Sequence, residues 1–226
     1  MEQAEPSEAL ERIVVAATAL FAERGLHGVT TRELAAAVGL NIATVHYHAG
    51  SKRELYAAVL RRLDRVELEM IAGFTRAFGT RSEGTREWLR GFLGDVVDTV
   101  VAFIAAHPEL PRMRVRQWLE PTEGVDDPQA DAGRAHSTLL EAAFEAARVE
   151  GLLDRGLDTV MFAHSFDWLV AGFFSGGAPS GERRRTRTAQ EIDAFRLYLR
   201  AFTLRMLGLD ELLPNVPNVP KVATEA

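Results

Sequence analysis

Residues 30–52, TTRELAAAVGLNIATVHYHAGSK, decide how the chain is read. Thr30 and Glu33 have the spacing of a capping box, in which the hydroxyl takes the Glu33 amide and the carboxylate reaches back. Val29 and Leu34 occupy the two positions of a hydrophobic staple around that start. Gly39 follows Val38 where a helix end needs a positive φ. Asn41 can cap the next helix. Ser51 and Glu54 repeat the capping box and open a third. The spacing therefore predicts two helices crossing through a tight turn, the second barely two turns long. So short a helix is a weak core element, but its size suits insertion into a DNA groove.

The whole chain bounds what that segment can serve. It has 226 residues, 47% hydrophobic and 26% charged, an ordinary globular composition. It contains no cysteine, which excludes disulfides and thiolate metal sites and is compatible with a reducing cytoplasm. The first residues, MEQAEPSEALER, are polar and acidic, unlike a signal peptide, and no apolar run is long enough to cross a membrane. The net charge of −6 counts at first against a nucleic-acid partner. Counted locally, residues 1–29 carry −3, whereas residues 30–66 carry six basic against three acidic side chains, a balance of +3. The basic surplus begins where the two crossing helices begin. Its size suits close phosphate contacts better than long-range steering.

The rest also reads as helix, so the expected fold class is all-α. Leu10, Ile13, Val14, Ala17, Leu20 and Phe21 recur at three and four along a first helix that ends at Gly25. A fourth helix starts after Ser51, with Leu55, Val59, Leu63, Val66 and Met70 on one stripe. Residues 79–84, GTRSEG, break it. From Trp88 to Ile104 the apolar residues come in adjacent pairs, which suits a central helix covered on several sides. His107 and Pro108 interrupt it, and a short helix carries Leu110, Val115 and Trp118. PTEGVDDP is a loop; Asp127 and Pro128 suit the start of a helix running to about Val149. Two long helices follow, over about 157–175 and 188–207. In the last, Ile192, Phe195, Leu199, Phe202 and Met206 form one face, and Leu197, Tyr198 and Leu204 widen it. A second copy of the chain is the economical cover for so broad an apolar surface, so a homodimer is expected. SGGAPSGERRRTRT between these helices reads as a loop with a solvated charge run.

Residues 10–55 resemble the TetR family of bacterial transcriptional regulators. The resemblance rests on FAERG closing the first helix, then TTRELAAAVGL, then NIATVHYH followed by GSKREL. It covers about a quarter of the chain. It implies an N-terminal helix-turn-helix DNA-binding domain over 1–52, with helix four (about 52–78) as connector. A helical effector-binding and dimerisation domain would follow over 79–213, then a disordered tail over 214–226. Two positions depart from the family's pattern. His46 stands where tyrosine is usual, and Ala49 where a phenylalanine normally packs under the recognition helix. An uncompensated Phe-to-Ala change in a core costs roughly 3–5 kcal/mol. Either neighbours fill the space or the helix is less firmly seated.

On a helical wheel, Ile42, Val45, His46 and Ala49 fall to one side and Ala43, Thr44, Tyr47 and His48 to the other. The second set is the face expected to meet DNA, with Thr44 and Tyr47 reaching base edges. Asn41 can contact backbone or base, and His46, His48 and also Tyr47 can bond phosphate. Lys52, with the free amides of helix four, makes a phosphate anchor, as do Thr30, Thr31 and Arg32 at the start of helix two. The resemblance implies a repressor released by a small molecule, acting as a homodimer on a palindromic operator in double-stranded DNA. An apolar or aromatic effector would be lined by Trp88, Phe92, Phe103, His107, Trp118, Phe144, Phe162 and Phe166. His136 and His164 could add polar contacts. No cofactor and no metal is expected; His164 and Asp167, one turn apart, lack further ligands. The alternative is an all-helical small-molecule-binding protein or enzyme with no DNA role. No nucleophile, base and oxyanion grouping and no phosphate loop supports the enzyme.

Overall fold

In the computed structural model, residues 8–80, 84–119, 141–154, 156–176 and 187–210 are described, and among them all extended regular structure is helical. The helices are α1 (Glu8–Arg24), α2 (Thr31–Val38), α3 (Ile42–Ala49), α4 (Lys52–Gly79), α5 (Arg86–Ala106), α6 (Glu109–Leu119), α7 (residues 141–149), α8 (Thr159–Ser175) and α9 (Ala189–Met206). The PTEGVDDP loop, the Asp127–Pro128 start, His136 and the C-terminal tail lie outside the described residues.

The local signals act as their chemistry requires. Thr30 Oγ1 accepts from the Glu33 amide, and the Thr30 amide donates to Glu33 Oε2 at 2.8 Å. Ser51 and Glu54 repeat the pair, with the Ser51 amide 2.7 Å from Glu54 Oε2. Asn41 Oδ1 accepts from the Thr44 amide at 2.8 Å. Gly39 takes the left-handed conformation (φ 68°, ψ 27°). The Gly39 and Leu40 amides then satisfy the Ala36 and Ala35 carbonyls. Another box, Thr188 with Glu191, opens α9; its TAQE signature stands in the sequence beside the charge run.

Packing joins the two halves. α1 lies against α2, α3 and α4, while α5, α8 and α9 pack together beyond the α4 stem. α6 touches both α1 and α8. A continuous apolar core runs from Ile13 and Phe21 of α1, through Val59 and Leu63 of α4, to Val97 and Leu199 of the C-terminal half. A second cluster gathers Phe78, Leu89, Phe162 and Leu204. Helix α4, 28 residues and so about 42 Å long, carries side chains of both clusters.

The short helix carrying Leu110, Val115 and Trp118 is α6; its buried side chains are Leu110, Pro111 and Met113, and Trp118 is exposed. Two expectations change. In α9 Leu204 is buried and Met206 is exposed, the reverse of their expected placing. Arg187, at the end of the charge run, is not a solvated cation. It donates to the Phe173 and Gly176 carbonyls at the end of α8 and stacks over the Phe173 ring.

The two turn glycines make different demands. Gly50 holds φ 68° and ψ −146°, a region essentially restricted to glycine, and a Cβ there would meet Glu54 Oε2 at 2.5 Å. At Gly39 there is open space and a conformation that asparagine tolerates. Gly39→Asn should therefore cost less than about 1 kcal/mol, and Gly50→Asn about 1–3 kcal/mol. Urea midpoints of the two variants check the order; equal losses would contradict it.

Candidate nucleic-acid interface and effector cavity

Helix α3 is seated through Val45 and Ala49, 2% and 8% exposed, in the same core as Phe21, Leu26 and Tyr56. Neighbours thus close over Ala49, although no large side chain stands there. Ile42 and His46 do not join this buried side as the wheel suggests; both are exposed. A wheel assigns angle but not depth, and at so short a helix the first turn projects beyond the core. The outward surface of α3 therefore includes Ile42, Ala43, His46 and Tyr47.

Tyr47 is 83% exposed, the highest value among the large apolar and aromatic side chains of the described residues. Its ring meets His48 edge-on, with centroids 5.1 Å apart. The Thr44 hydroxyl donates to Asn41 Oδ1 at 3.0 Å, so its proton is committed to the cap. What Thr44 retains is a methyl group and acceptor lone pairs, a set suited to a thymine methyl or a base amino group.

Thr31 and Arg32 begin α2, and Arg32 is exposed. Thr30 is committed further than expected, because its hydroxyl donates to Glu33 Oε2 at 2.7 Å. The Glu33 carboxyl falls from 4.5 to about 2, chiefly through the Thr30 amide and hydroxyl, with Arg24 contributing. Arg24 Nη1 lies 2.6 Å from it and offsets a charge that would otherwise oppose a phosphate. Lys52 Nζ donates to the Val29 carbonyl at 2.9 Å, tying the start of α4 to the turn before α2. An ammonium has three donors, so this bond is compatible with a phosphate contact.

A second feature lies in the C-terminal half, a cavity of about 430 Å³ walled by α4, α5, α6, α7, α8 and α9. Of the expected aromatic lining, Trp118, Phe144, Phe162 and Phe166 are there. The other four expected residues are elsewhere. Trp88 and Phe92 stack at 5.0 Å and pack on Phe78 outside the cavity. Phe103 meets His107 at a tilt, with ring centroids 4.7 Å apart, and His107 Nδ1 is 3.5 Å from Glu109. All four belong to helix α5 or its end, but the face of α5 lining the cavity carries Leu93, Val97 and Val100 instead.

The polar part of the wall could not be read along the chain. Arg114 of α6 donates to Asp64 at 2.9 Å and Glu67 at 2.5 Å, both on α4. Burial alone would pull its guanidinium down, but Glu67 and Asp64 outweigh that and raise its pKa. His164 and Asp167 of α8 line the same cavity. Two residues beyond Arg114, Arg116 donates to the Ala22 and Glu23 carbonyls at the end of α1. These side chains meet across 47 to 94 residues of sequence, so no local spacing announces them.

Residues 13–59 match the family model described as bacterial regulatory proteins, tetR family. Residues 13–59 are thus similar to the N-terminal domain of that family. The chain is 47% identical over 51 residues to the HTH-type transcriptional dual regulator CecR of Shigella flexneri, a match covering 23% of this chain and 22% of that protein. The chain thus aligns with under a quarter of that relative's length. Solved structures extend the likeness of fold to most of the chain. A protein of Mesorhizobium loti MAFF303099, provisionally assigned as a TetR-family transcriptional regulator, superposes with a TM-score of 0.64 at 18% identity, covering 92% of this chain and 98% of that one. AibR, solved with isovaleryl coenzyme A and operator DNA, gives 0.62 at 18%, covering 87% and 99%.

Behind the N-terminal helices, Asp167 is a titrating group with a stability consequence. Asp167 itself is exposed to solvent, with the cavity wall crowding its carboxyl on the inner side. Burial, then the Glu67 charge, pushes its carboxyl up from 3.8 to about 6, while Arg114 and His164 pull the other way. The folded state therefore holds this proton more tightly than the unfolded chain. The ionised form opposes folding above pH 6, and the opposition disappears as pH falls towards 4. Asp167→Asn should raise the thermal midpoint at pH 7.5, and the gap to the wild type should close by pH 4. A gap independent of pH would contradict the assignment.

Proposed function

We propose that the chain is a sequence-specific DNA-binding transcriptional regulator, acting as a homodimer on a palindromic operator and releasing it when an effector fills the cavity. The observation that carries the reading is Tyr47, an aromatic side chain almost wholly in solvent on a helix fixed at both ends and beneath. A surface tyrosine gains nothing for folding in that position. A major groove would supply the missing contacts, with Ile42, Ala43 and the acceptor of Thr44 beside it and His46, His48, Asn41 and Arg32 near the backbone. The TetR-family match over residues 13–59 supports the same use of α3. So does the fold shared with AibR, a protein seen on operator DNA with an acyl coenzyme A.

Homodimerisation is supported by apolar side chains left exposed on the last two helices. Val160, Met161 and Trp168 lie within about 100° around α8. Leu197, Tyr198 and Met206 are exposed on α9. A two-fold contact through these helices would present two copies of α3 to successive major grooves, roughly 34–36 Å apart. α6 offers the route from effector to DNA. Arg114 holds the cavity wall on α4, and Arg116 holds the end of α1. A ligand that shifts α6 would shift the head, and binding of ligand and of DNA would then be coupled reciprocally. The proposed site of action is the cytoplasm, where a bacterial operator is found. Among the described residues no helix is long and apolar enough to cross a membrane.

Selection of bound duplexes from a random pool tests the proposal and should return a sequence with two-fold symmetry. On that duplex, Tyr47→Ala should lose about 1–3 kcal/mol of binding and relax preference at the bases it meets. Lys52→Ala should weaken all duplexes alike and reduce the salt slope by about one. Wild-type affinity and selectivity in both variants, with the fold retained, would refute the interface.

A further inference from the structure

The cavity's charge is lopsided. Among the described residues it is lined by four carboxylates, Asp64, Glu67, Glu141 and Asp167, against one guanidinium, Arg114, and the His164 imidazole. Arg114 is already held by Asp64 and Glu67. Asp167 faces the same space and takes no share of that guanidinium by hydrogen bond. An anionic ligand would meet a guanidinium already neutralised by two carboxylates, with Asp167 and Glu141 opposing it, whereas a cation would meet negative charge already in place.

A second polar feature stands apart from the acidic cluster. Thr203 of α9 is 2% exposed and lines the cavity, yet its Oγ1 has no hydrogen-bond partner among the described residues. A buried hydroxyl left so is costly and marks a place where a bound group can complete it. It belongs to the other end of the space. The neighbouring Phe202 stacks on Phe162, and Phe162 lies five residues, ~8 Å of helix rise, before Asp167 on α8. Between the two ends the wall is apolar, with Ile71, Val100, Phe162, Phe166 and Val170.

We infer that the effector is an organic cation: a nitrogen cation that lies against Asp167, Glu67 and Asp64, an apolar body on the phenylalanines, and a polar atom within reach of Thr203. The inference rests on taking the cavity as the effector site and adds the chemical class. Release of the operator by such a cation would follow from its contact with the carboxylates that hold Arg114 and, through it, α6.

The full-length protein is titrated calorimetrically at pH 7.5 with three ligands of one skeleton, 6-phenylhexylamine, 6-phenylhexanol and 6-phenylhexanoate. The amine should bind at least tenfold more tightly than the alcohol, and the carboxylate most weakly. Asp167→Asn should remove most of the amine's advantage while leaving alcohol binding unchanged. Glu67→Gln serves as an independent second removal of charge, with the same direction expected. Thr203→Val should leave the amine's advantage intact. A fourth ligand, 6-(4-hydroxyphenyl)hexylamine, should bind the wild type more tightly than 6-phenylhexylamine and lose that gain in Thr203→Val. A gain that survives the variant would overturn the Thr203 contact. Equal binding of amine and alcohol, preference for the carboxylate, no binding of any of the three, or an amine preference that survives both acidic-residue variants would overturn the inference. Operator binding is measured in parallel on the same preparations. Its failure would strike the regulatory reading, whereas intact operator binding without amine preference would strike the cation alone.

Discussion

An eight-residue helix cannot hold itself together in water, because too few hydrogen bonds follow the costly first turn. Helix α3 exists because its surroundings replace what length would have supplied. Asn41 closes its start, Gly50 permits the reversal at its end, and Val45 and Ala49 anchor it to α1 and α4. Burying a valine-sized side chain contributes about 1.5–3 kcal/mol, and a cap about 1 kcal/mol. Each is small, but together they leave the outer face of α3 free of any folding duty. Exposed Tyr47 is the consequence. The side chains that could read a partner are those the fold does not need.

That division also explains what was legible in the sequence. Caps and turns are local chemistry, so TTRE, VGLN and SKRE located the starts and stops of α2, α3 and α4 directly. The position of Ala49 was legible as a departure, but its burial in the core of α1, α3 and α4 without a large side chain was not. The cavity was half visible. Aromatic residues could be listed, but α5 is apolar on several sides and periodicity could not say which side faces inward. Trp88, Phe92 and Phe103 therefore went to the wrong wall. Arg114, Asp64 and Glu67 gave no signal at all, since isolated charges on separate helices look like solvated surface until packing joins them. Arg187 misled for the same reason in reverse. It sits in a run of arginines, yet its contact is with the end of α8.

The acidic wall deserves comparison with the head. Both hold carboxyls whose pKa folding shifts, but in opposite directions. In the head, Glu33 is held ionised by hydrogen bonds from its own helix start and by Arg24, and the arrangement is closed. In the cavity, Asp167 remains near neutral titration because burial and Glu67 raise it while Arg114 is engaged elsewhere. A closed arrangement stabilises the molecule by itself, whereas an open one leaves a deficit that a ligand can relieve. α6 touches both regions, with Arg114 on the cavity side and Arg116 at the end of α1, so relief in one place has a physical path to the other.

The most direct measurement places a photoreactive benzoylphenylalanine at position 47 and irradiates the protein on its selected duplex. Cross-links should map to base edges in both half-sites, at one helical turn's separation, and the same probe at position 161 on α8 should give none. A duplex that binds tightly yet never cross-links from position 47, or links equally from position 161, would contradict the assignment of α3 to the groove.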